Sequence, residues 1–342
     1  MPKQPSELLD LATAYQRSRV LFALVEFGLP TMLAGTAQSS EEIARRLQIH
    51  PRAADRLLHA GVALGLLEKE EGRFRNAPLA DEFLIKGKQS YLGEQILLHD
   101  RASYPLWSEL VPKLREWQPD ETPNEPEDEM PREEGQSAES LSAMRNLALL
   151  TGRALGLAYD FSRHQRMLDL GGGTGAMSIG ICERHPQLRA IVFDLPHIID
   201  VAREFIRESG LSELIETRVG NFKEDELPAG FDVALLANLL SVASEETNRE
   251  LLRKLYERLP DGGAVILSGW ILDDSRTGPL IPVLFCLEVI NWGAPDVERT
   301  AATYERWLTE AGFVEIRREM YYPPTSMIAG RKRGTGEKRA LG

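Results

Sequence analysis

Between residues 6 and 85 apolar side chains return every three or four positions; from residue 166 onward they alternate or gather in short runs. The first rhythm predicts helices and the second predicts strands. In the front part, LLDLATAYQRSRVLFALVEFGL is amphipathic and halts at Gly28 and Pro30. SSEEIARRLQI opens on Ser39 or Ser40, with Glu42 or Glu41 placed to complete a helix cap. His50-Pro51 turns the chain into RAADRLLHAGVALGLLE, and EKEEGRFRNA doubles back at Gly72 as a small hairpin. Helix, helix, helix and hairpin predict a mainly helical winged-helix domain over residues 1–90. Residues 91–160 read as a helical connector interrupted by a loop at 116–139.

Beyond it, RMLDL, RAIVFD, IETRVG, FDVALLAN and GAVILSGW alternate with the helical stretches MSIGICERH, PHIIDVAREFIRESG and ETNRELLRKLYERL. That alternation predicts an α/β domain over residues 161–331, a doubly wound, mostly parallel sheet covered on both faces. FVEIRREMYY and TSMIAGRK flank Pro323-Pro324 and are expected to close the sheet as an antiparallel C-terminal strand pair. The basic stretch from Arg331, and residues 332–342 as a whole, read as a frayed, flexible tail.

Composition changes this picture at three points. The chain has 342 residues, 43% hydrophobic and 27% charged, enough for two packed domains. The longest apolar run, IPVLFCLEVI, is too short to span a bilayer and carries Glu288, and MPKQPSELLD lacks a signal-peptide pattern. Cys182 and Cys286 stand alone in apolar surroundings and read as reduced core residues, so a cytoplasmic location with no membrane partner is expected. The net charge of −12 is concentrated: ten of the acids fall between Glu116 and Glu139, with Pro119, Pro123, Pro126 and Pro131 among them. A solvated loop is predicted there. Residues 1–90 hold twelve Lys and Arg against eleven Asp and Glu, too near neutrality for a nucleic-acid reader. A dimerisation and substrate-wall role is the reading preferred for the winged helix.

The glycines of LDLGGGTG follow the first strand directly, where an α/β sheet binds its ligand. Gly171, Gly173 and Ala176 meet a loose dinucleotide pattern, but no lysine follows to hold a phosphate. Asp169, two residues before the first glycine, is expected to turn its charge toward the ligand. An anion there disfavours a pyrophosphate and favours a cation such as S-adenosylmethionine, which carries an ammonium and a sulfonium. Asp194 ends the second strand, where an acid suits ribose hydroxyls, and V-G-N-F ends the third, offering an amide and a ring to an adenine.

LDLGGGTG, FDLP, VGNF, LPDGG and VERTAATYERWLTEAGF together resemble the S-adenosylmethionine-dependent small-molecule O-methyltransferases, two-domain enzymes of plant phenolic, bacterial antibiotic and pigment pathways. The resemblance covers most of the chain. It implies a Rossmann-like cofactor domain, a homodimer built through the front half, and a small-molecule acceptor. It also implies cofactor contacts at Asp169, Gly171, Gly172, Gly173, Asp194, Leu195, Asn221, Phe222 and Asn238, with Asn221 standing where the family usually has Asp. The acceptor pocket is expected between Met144, Asn146, Trp270, Phe285, Asn291 and Trp292, mostly apolar or aromatic as a flat hydrophobic acceptor requires.

In the phenolic branch of that family a His after the fourth strand removes the acceptor's proton, and two acids orient it. Here Ser241 falls at the His position and Gly269 at the first acid; only Glu298 is retained and is the one catalytic candidate. None of the six histidines replaces the base, and no two have metal-ligand spacing, so no metal is expected. Three chemistries stay open: O-methylation by proximity with Glu298 or water taking the proton, C-methylation of an enol or ring carbon, or cofactor binding without transfer. From other classes, a ligand-sensing winged-helix regulator and an NAD-dependent oxidoreductase also stay open.

Overall fold

The computed structural model describes residues 4–118, 138–241, 243–292 and 299–334. The acidic loop at 116–139, apart from its ends, and Glu298 therefore lie outside the described residues. Two compact units meet at Pro105-Leu106.

In the first unit α1 (Pro5–Ala12), α2 (Ala14–Glu26) and α3 (Leu29–Met32) precede a short strand β1 (Gln38–Ser39). Helix α4 (Ser40–Leu47) starts on a capping box: Ser39 Oγ accepts from the Glu42 N–H and the Glu42 carboxylate accepts from the Ser39 N–H. Pro51 opens α5 (Pro51–Ala63), where its missing N–H has no helical partner to lose. Strands β2 (Leu67–Glu70) and β3 (Arg73–Asn76) form the predicted hairpin. Glu71 and Gly72 both take positive φ, at 49° and 79°, as a two-residue turn matched to strand twist demands. The sheet order β1-β3-β2 completes a winged helix, followed by α6 (Pro78–Phe83) and α7 (Gly93–Leu98). Its core gathers Leu24, Leu29, Ile43, Leu58 and Phe74. Helix α1 lies outside that core: Leu8, Leu9 and Leu11 are 72%, 66% and 73% exposed.

Helix α8 (Tyr104–Ser108) crosses into the second unit, which continues with α9 (Leu110–Glu116) and α10 (Ala138–Ala158). The sheet follows: β4 (Arg166–Leu170), β5 (Arg189–Asp194), β6 (Ile215–Val219), β7 (Val233–Ala237) and β8 (Ala264–Gly269) run parallel, and of the closing pair β9 (Phe313–Tyr322) and β10 (Thr325–Lys332), β10 runs antiparallel to both β8 and β9. Their order is β6-β5-β4-β7-β8-β10-β9, so the chain reverses direction beside β4 and opens a crevice at the strand ends there. Helices α11 (Ala176–Arg184), α12 (Pro196–Glu208), α13 (Glu245–Arg258), α14 (Leu280–Asn291) and α15 (Ala301–Ala311) belong to this unit. Arg331 and Lys332, which the sequence offered both as the end of the strand TSMIAGRK and as the start of a basic tail, are the end of β10. Arg331 pairs with Ala264 and Val314 in the sheet and forks onto the Glu315 carboxylate at 2.6 and 3.0 Å.

Alternation along β4 sorts its side chains. Leu168 and Leu170 join the core that includes Trp307 and Phe313, while Met167 joins the core beneath α11 with Ile179 and Cys182. Cys182 is buried as expected; Cys286 is only half-buried. Helix α10 lies against α11 with almost no gap. A Cβ on Gly180 would come within 2.6 Å of both the Leu149 carbonyl oxygen and the Arg153 nitrogen, and one on Gly152 within 2.5 Å of the Met177 carbonyl oxygen. Backbone meets backbone along this seam.

Candidate functional site

The turn after β4 takes left-handed backbone at Gly171, Gly173 and Gly175, with φ of 65°, 57° and 72°. Each glycine has its own reason for lacking a side chain. On Gly171 a Cβ would strike Leu239 at 2.7 Å, and on Gly172 it would strike the Asp169 carboxyl carbon at 2.8 Å. On Gly173 it would meet nothing within 4 Å, so only the backbone conformation requires glycine there.

Asp169 is not where the sequence reading put it. The period of the strand turns it into the face covered by α11, where it is fully buried rather than exposed to the crevice. The Ser178 hydroxyl donates to its Oδ2 at 2.6 Å, and its Oδ1 has no partner. Burial raises its pKa to about 6, against the pull of the Ser178 hydrogen bond and with a further push from the Asp194 charge.

Asp194, at the end of β5, is held by two backbone donors. The Gly173 N–H reaches Oδ2 at 2.8 Å and the Leu195 N–H reaches Oδ1 at 2.7 Å. Burial raises its pKa, and those two amides and the nearby His197 pull it back. Each oxygen keeps a further lone pair for a ligand hydroxyl. After β6, Gly220 lets the Phe193 ring approach to 2.3 Å of where a Cβ would stand. Asn221 then folds the chain tightly: its Oδ1 accepts from the Lys223 N–H at 3.0 Å, and its own N–H donates to Asp225 at 2.8 Å. The half-buried Phe222 ring packs against the core that holds Leu168 and Leu170.

Asn238 follows β7 in left-handed backbone, φ 56°, and is exposed. A Cβ on Gly269 would come within 2.9 Å of its Oδ1, so Asn238 fills the space that a side chain at 269 would need. The Ser241 hydroxyl donates to the Asn238 carbonyl at 2.9 Å. It closes a turn, and among the described residues no basic side chain hydrogen-bonds to it. This loop is tied down by Asn248, fully buried, whose amide donates to the carbonyls of Leu240 at 2.8 Å and Ala243 at 3.1 Å.

Next to Gly269 the rings of Trp270 and Phe285 meet edge to face at 5.2 Å, and Phe285 meets Trp292 at 5.7 Å. The three form one cluster, with Trp270 37% and Trp292 43% exposed. Asn291 is 2% exposed, and among the described residues neither its Nδ2 nor its Oδ1 has a partner. Met144, exposed, and Asn146, half-buried, come from a different element, α10. Glu298 is outside the described residues. Sequence reasoning missed Ser178 and Asn248, though each left a trace: a lone polar side chain on the apolar stripe of its helix, beside Ile179 and Ile181 or Leu251 and Leu255. Among the described residues no three His, Cys, Asp or Glu side chains gather as a metal site, and no helix is long and apolar enough to cross a membrane.

The whole-chain comparisons agree with this geometry. Residues 128–314 match the O-methyltransferase domain and residues 9–86 the O-methyltransferase dimerisation domain. The chain is 35% identical to the 3-hydroxy-5-methyl-1-naphthoate 3-O-methyltransferase of Streptomyces sahachiroi, over 96% of this chain and 95% of that one. It is 32% identical to the tetracenomycin polyketide synthesis 8-O-methyl transferase TcmO of Streptomyces glaucescens, over 96% and 97%. The crystal structure of human N-acetylserotonin methyltransferase with S-adenosylmethionine superposes with a TM-score of 0.82 at 26% identity, covering 97% of this chain and 99% of that one. The chain belongs to the S-adenosylmethionine-dependent O-methyltransferase family. It is a methyltransferase, and S-adenosylmethionine is its cofactor. The regulator and oxidoreductase readings fall away.

Proposed function

We propose that this enzyme methylates a hydroxyl on a flat, polyketide-like aromatic acceptor, and that it does so without a side-chain base at position 241. The single observation that carries the acceptor side is Asn291: a buried amide with both ends unpartnered, one residue before Trp292 in an aromatic cluster. Buried amides are ordinarily satisfied. An acceptor that presents an oxygen lone pair and a hydroxyl to Asn291 while its ring system lies on Trp270, Phe285 and Trp292 supplies what the amide lacks. The two Streptomyces relatives carry the names of a hydroxynaphthoate and a tetracenomycin enzyme, which agrees with that chemistry. Met144 and Asn146 are proposed as further walls.

The glycine turn fits the cofactor. A buried carboxylate with a free oxygen lies beneath it, no lysine follows the glycines to hold a phosphate, and the acid at 194 stands ready for ribose hydroxyls. Gly171, Gly172 and Gly173 bring the backbone close, and Leu195 holds Asp194 in place. Phe222 offers a ring to the adenine. With its oxygen committed to Lys223, Asn221 offers the adenine its amide N–H rather than the carboxylate usual in the family. Asn238 is proposed to border the reacting end. S-adenosylmethionine, when bound, supplies an electrophilic methyl group on a positively charged sulfur. The chain's part is to align the acceptor oxygen with it and to take up the proton, which we assign to Glu298 or to water. An acceptor oxygen acidified by its own ring needs little more.

The test is Asn291→Leu. Removing an unsatisfied buried amide leaves the fold as stable as the parent or more so, while KM for an ortho-hydroxylated naphthoate or anthraquinone rises by about five- to 150-fold, the value of two lost hydrogen bonds of ~0.5–1.5 kcal/mol each. Unchanged KM removes Asn291 from the acceptor site. Ser241→Ala is expected to retain turnover within about twofold; loss of a hundredfold or more, the range for removing a general base, would return Ser241 to the chemistry. The homodimer is proposed to form through the segment 9–86, with the exposed leucines of α1 available to it, in the cytoplasm and in secondary metabolism, on a small molecule rather than a nucleic acid.

A further inference from the structure

We infer that Ser178 is a positioning residue for the methyl-donor site: its hydroxyl holds Asp169 beneath the glycine turn so that a proton on Asp169 and S-adenosylmethionine in the crevice compete. The inference rests on the reading that this turn holds the methyl donor. Three observations place the device. Ser178 and Asp169 are both fully buried and joined at 2.6 Å, so the carboxylate has one fixed rotamer. The Gly172 backbone lies directly on that carboxyl group, so no solvent layer separates it from the turn. The other oxygen, Oδ1, is buried and unpartnered, leaving part of the negative charge uncompensated by any donor of the protein.

A buried anion with half its hydrogen bonds missing has two remedies: it takes a proton, or a cation comes near. Burial has already brought the first remedy to about pH 6. The charged and titratable groups around Asp169 do not supply the second. Asp194, across from it on β5, repels it, and His197 on α12 stands by Asp194 instead. Cys182, on α11 with Ser178, has its thiol pushed up to about 12 by burial and by the Asp169 charge, so it stays neutral throughout. The ammonium and sulfonium of the methyl donor are then the cations that settle the charge. Binding favours the ionised acid, so affinity is full above pH 6 and falls as Asp169 protonates below it. The Ser178 hydrogen bond favours the ionised form and sets how far down in pH the site remains usable.

Calorimetric titration of the full chain with S-adenosylmethionine from pH 5 to pH 8 tests this. Wild type is expected to bind about tenfold more weakly at pH 5 than at pH 8, with a midpoint near 6 and proton release on binding. In Ser178→Ala the midpoint rises by about one pH unit, and in Ser178→Thr, which keeps the hydroxyl, it returns to the wild-type position. His197→Gln keeps the wild-type midpoint. A flat wild-type profile, an unmoved midpoint in Ser178→Ala, or loss of the midpoint in His197→Gln overturns the inference. Should Ser178→Ala not fold, the wild-type profile and proton count still decide. Asp194→Ala separates the two levels of argument: if it binds the methyl donor as wild type does, the site itself is misassigned. If only the Ser178 variant matches wild type, the site stands and the coupling fails.

Discussion

Asp194→Ala is expected to weaken S-adenosylmethionine binding about 10²- to 10⁴-fold. We assign the carboxylate two duties on opposite edges. On the protein side it accepts the Gly173 and Leu195 N–H groups at 2.8 and 2.7 Å, which fixes the glycine turn relative to the end of β5. On the crevice side its remaining lone pairs suit the two ribose hydroxyls. Two charge-assisted hydrogen bonds at about 1.5–3 kcal/mol each make ~3–6 kcal/mol, and every 1.4 kcal/mol or so is a factor of ten. Asp194→Asn does not rescue, because its amide nitrogen would confront a backbone N–H with a second donor. Titration calorimetry reads the affinity, and circular dichroism confirms that the sheet is intact. Binding within threefold of wild type would remove Asp194 from the ribose position.

Gly180→Ala carries the second large effect, on stability. In an exposed helix this change is favourable by about 1 kcal/mol. Here the new methyl would lie 2.6 Å from the Leu149 oxygen and the Arg153 nitrogen, and neither backbone atom belongs to a side chain able to rotate away. Overpacking against flexible neighbours costs about 1–3 kcal/mol, and more where the neighbour is rigid. A net loss of about 2–4 kcal/mol is expected, which lowers Tm by roughly 5–15 °C for a unit of this size. Thermal unfolding with and without cofactor checks it. A Tm equal to or above wild type would mean that α10 and α11 separate easily.

The succession of strands and helices along the chain, the capping box, the hairpin at Gly72 and the position of Asp194 at a strand end were legible in the sequence because local periodicity and turn chemistry determine them; the order of the strands within the sheet was not. Asp169 was legible as an acid at the right place but not as a buried one. Its neighbours in LDLGG suggest a strand end, yet only the helix packed on that face decides whether the side chain meets solvent. Ser178 acquires its role from a residue nine positions earlier, and Asn248 from carbonyls of the loop that precedes its helix, on no repeating pattern; such pairings are tertiary. Arg331 and Lys332 fitted both the last strand and a basic tail, because charge points to solvent while only the register that pairs them with Val314 and Phe313 decides for the strand. Gly152 and Gly180 gave no signal either, since a glycine within a helix looks the same whether it is a weak point or a place where two backbones touch.

The occupation of the volume above Gly269 by Asn238 has an engineering corollary. Converting this chain to the histidine-dependent branch of its family is not a matter of one replacement at 241. An imidazole there would need an acid at 269 to steady it, and that acid would first have to displace the tip of the Asn238 side chain. The exposed amide has room to swing aside, so a conversion succeeds only where the loop after β7 gives up the position that amide now holds.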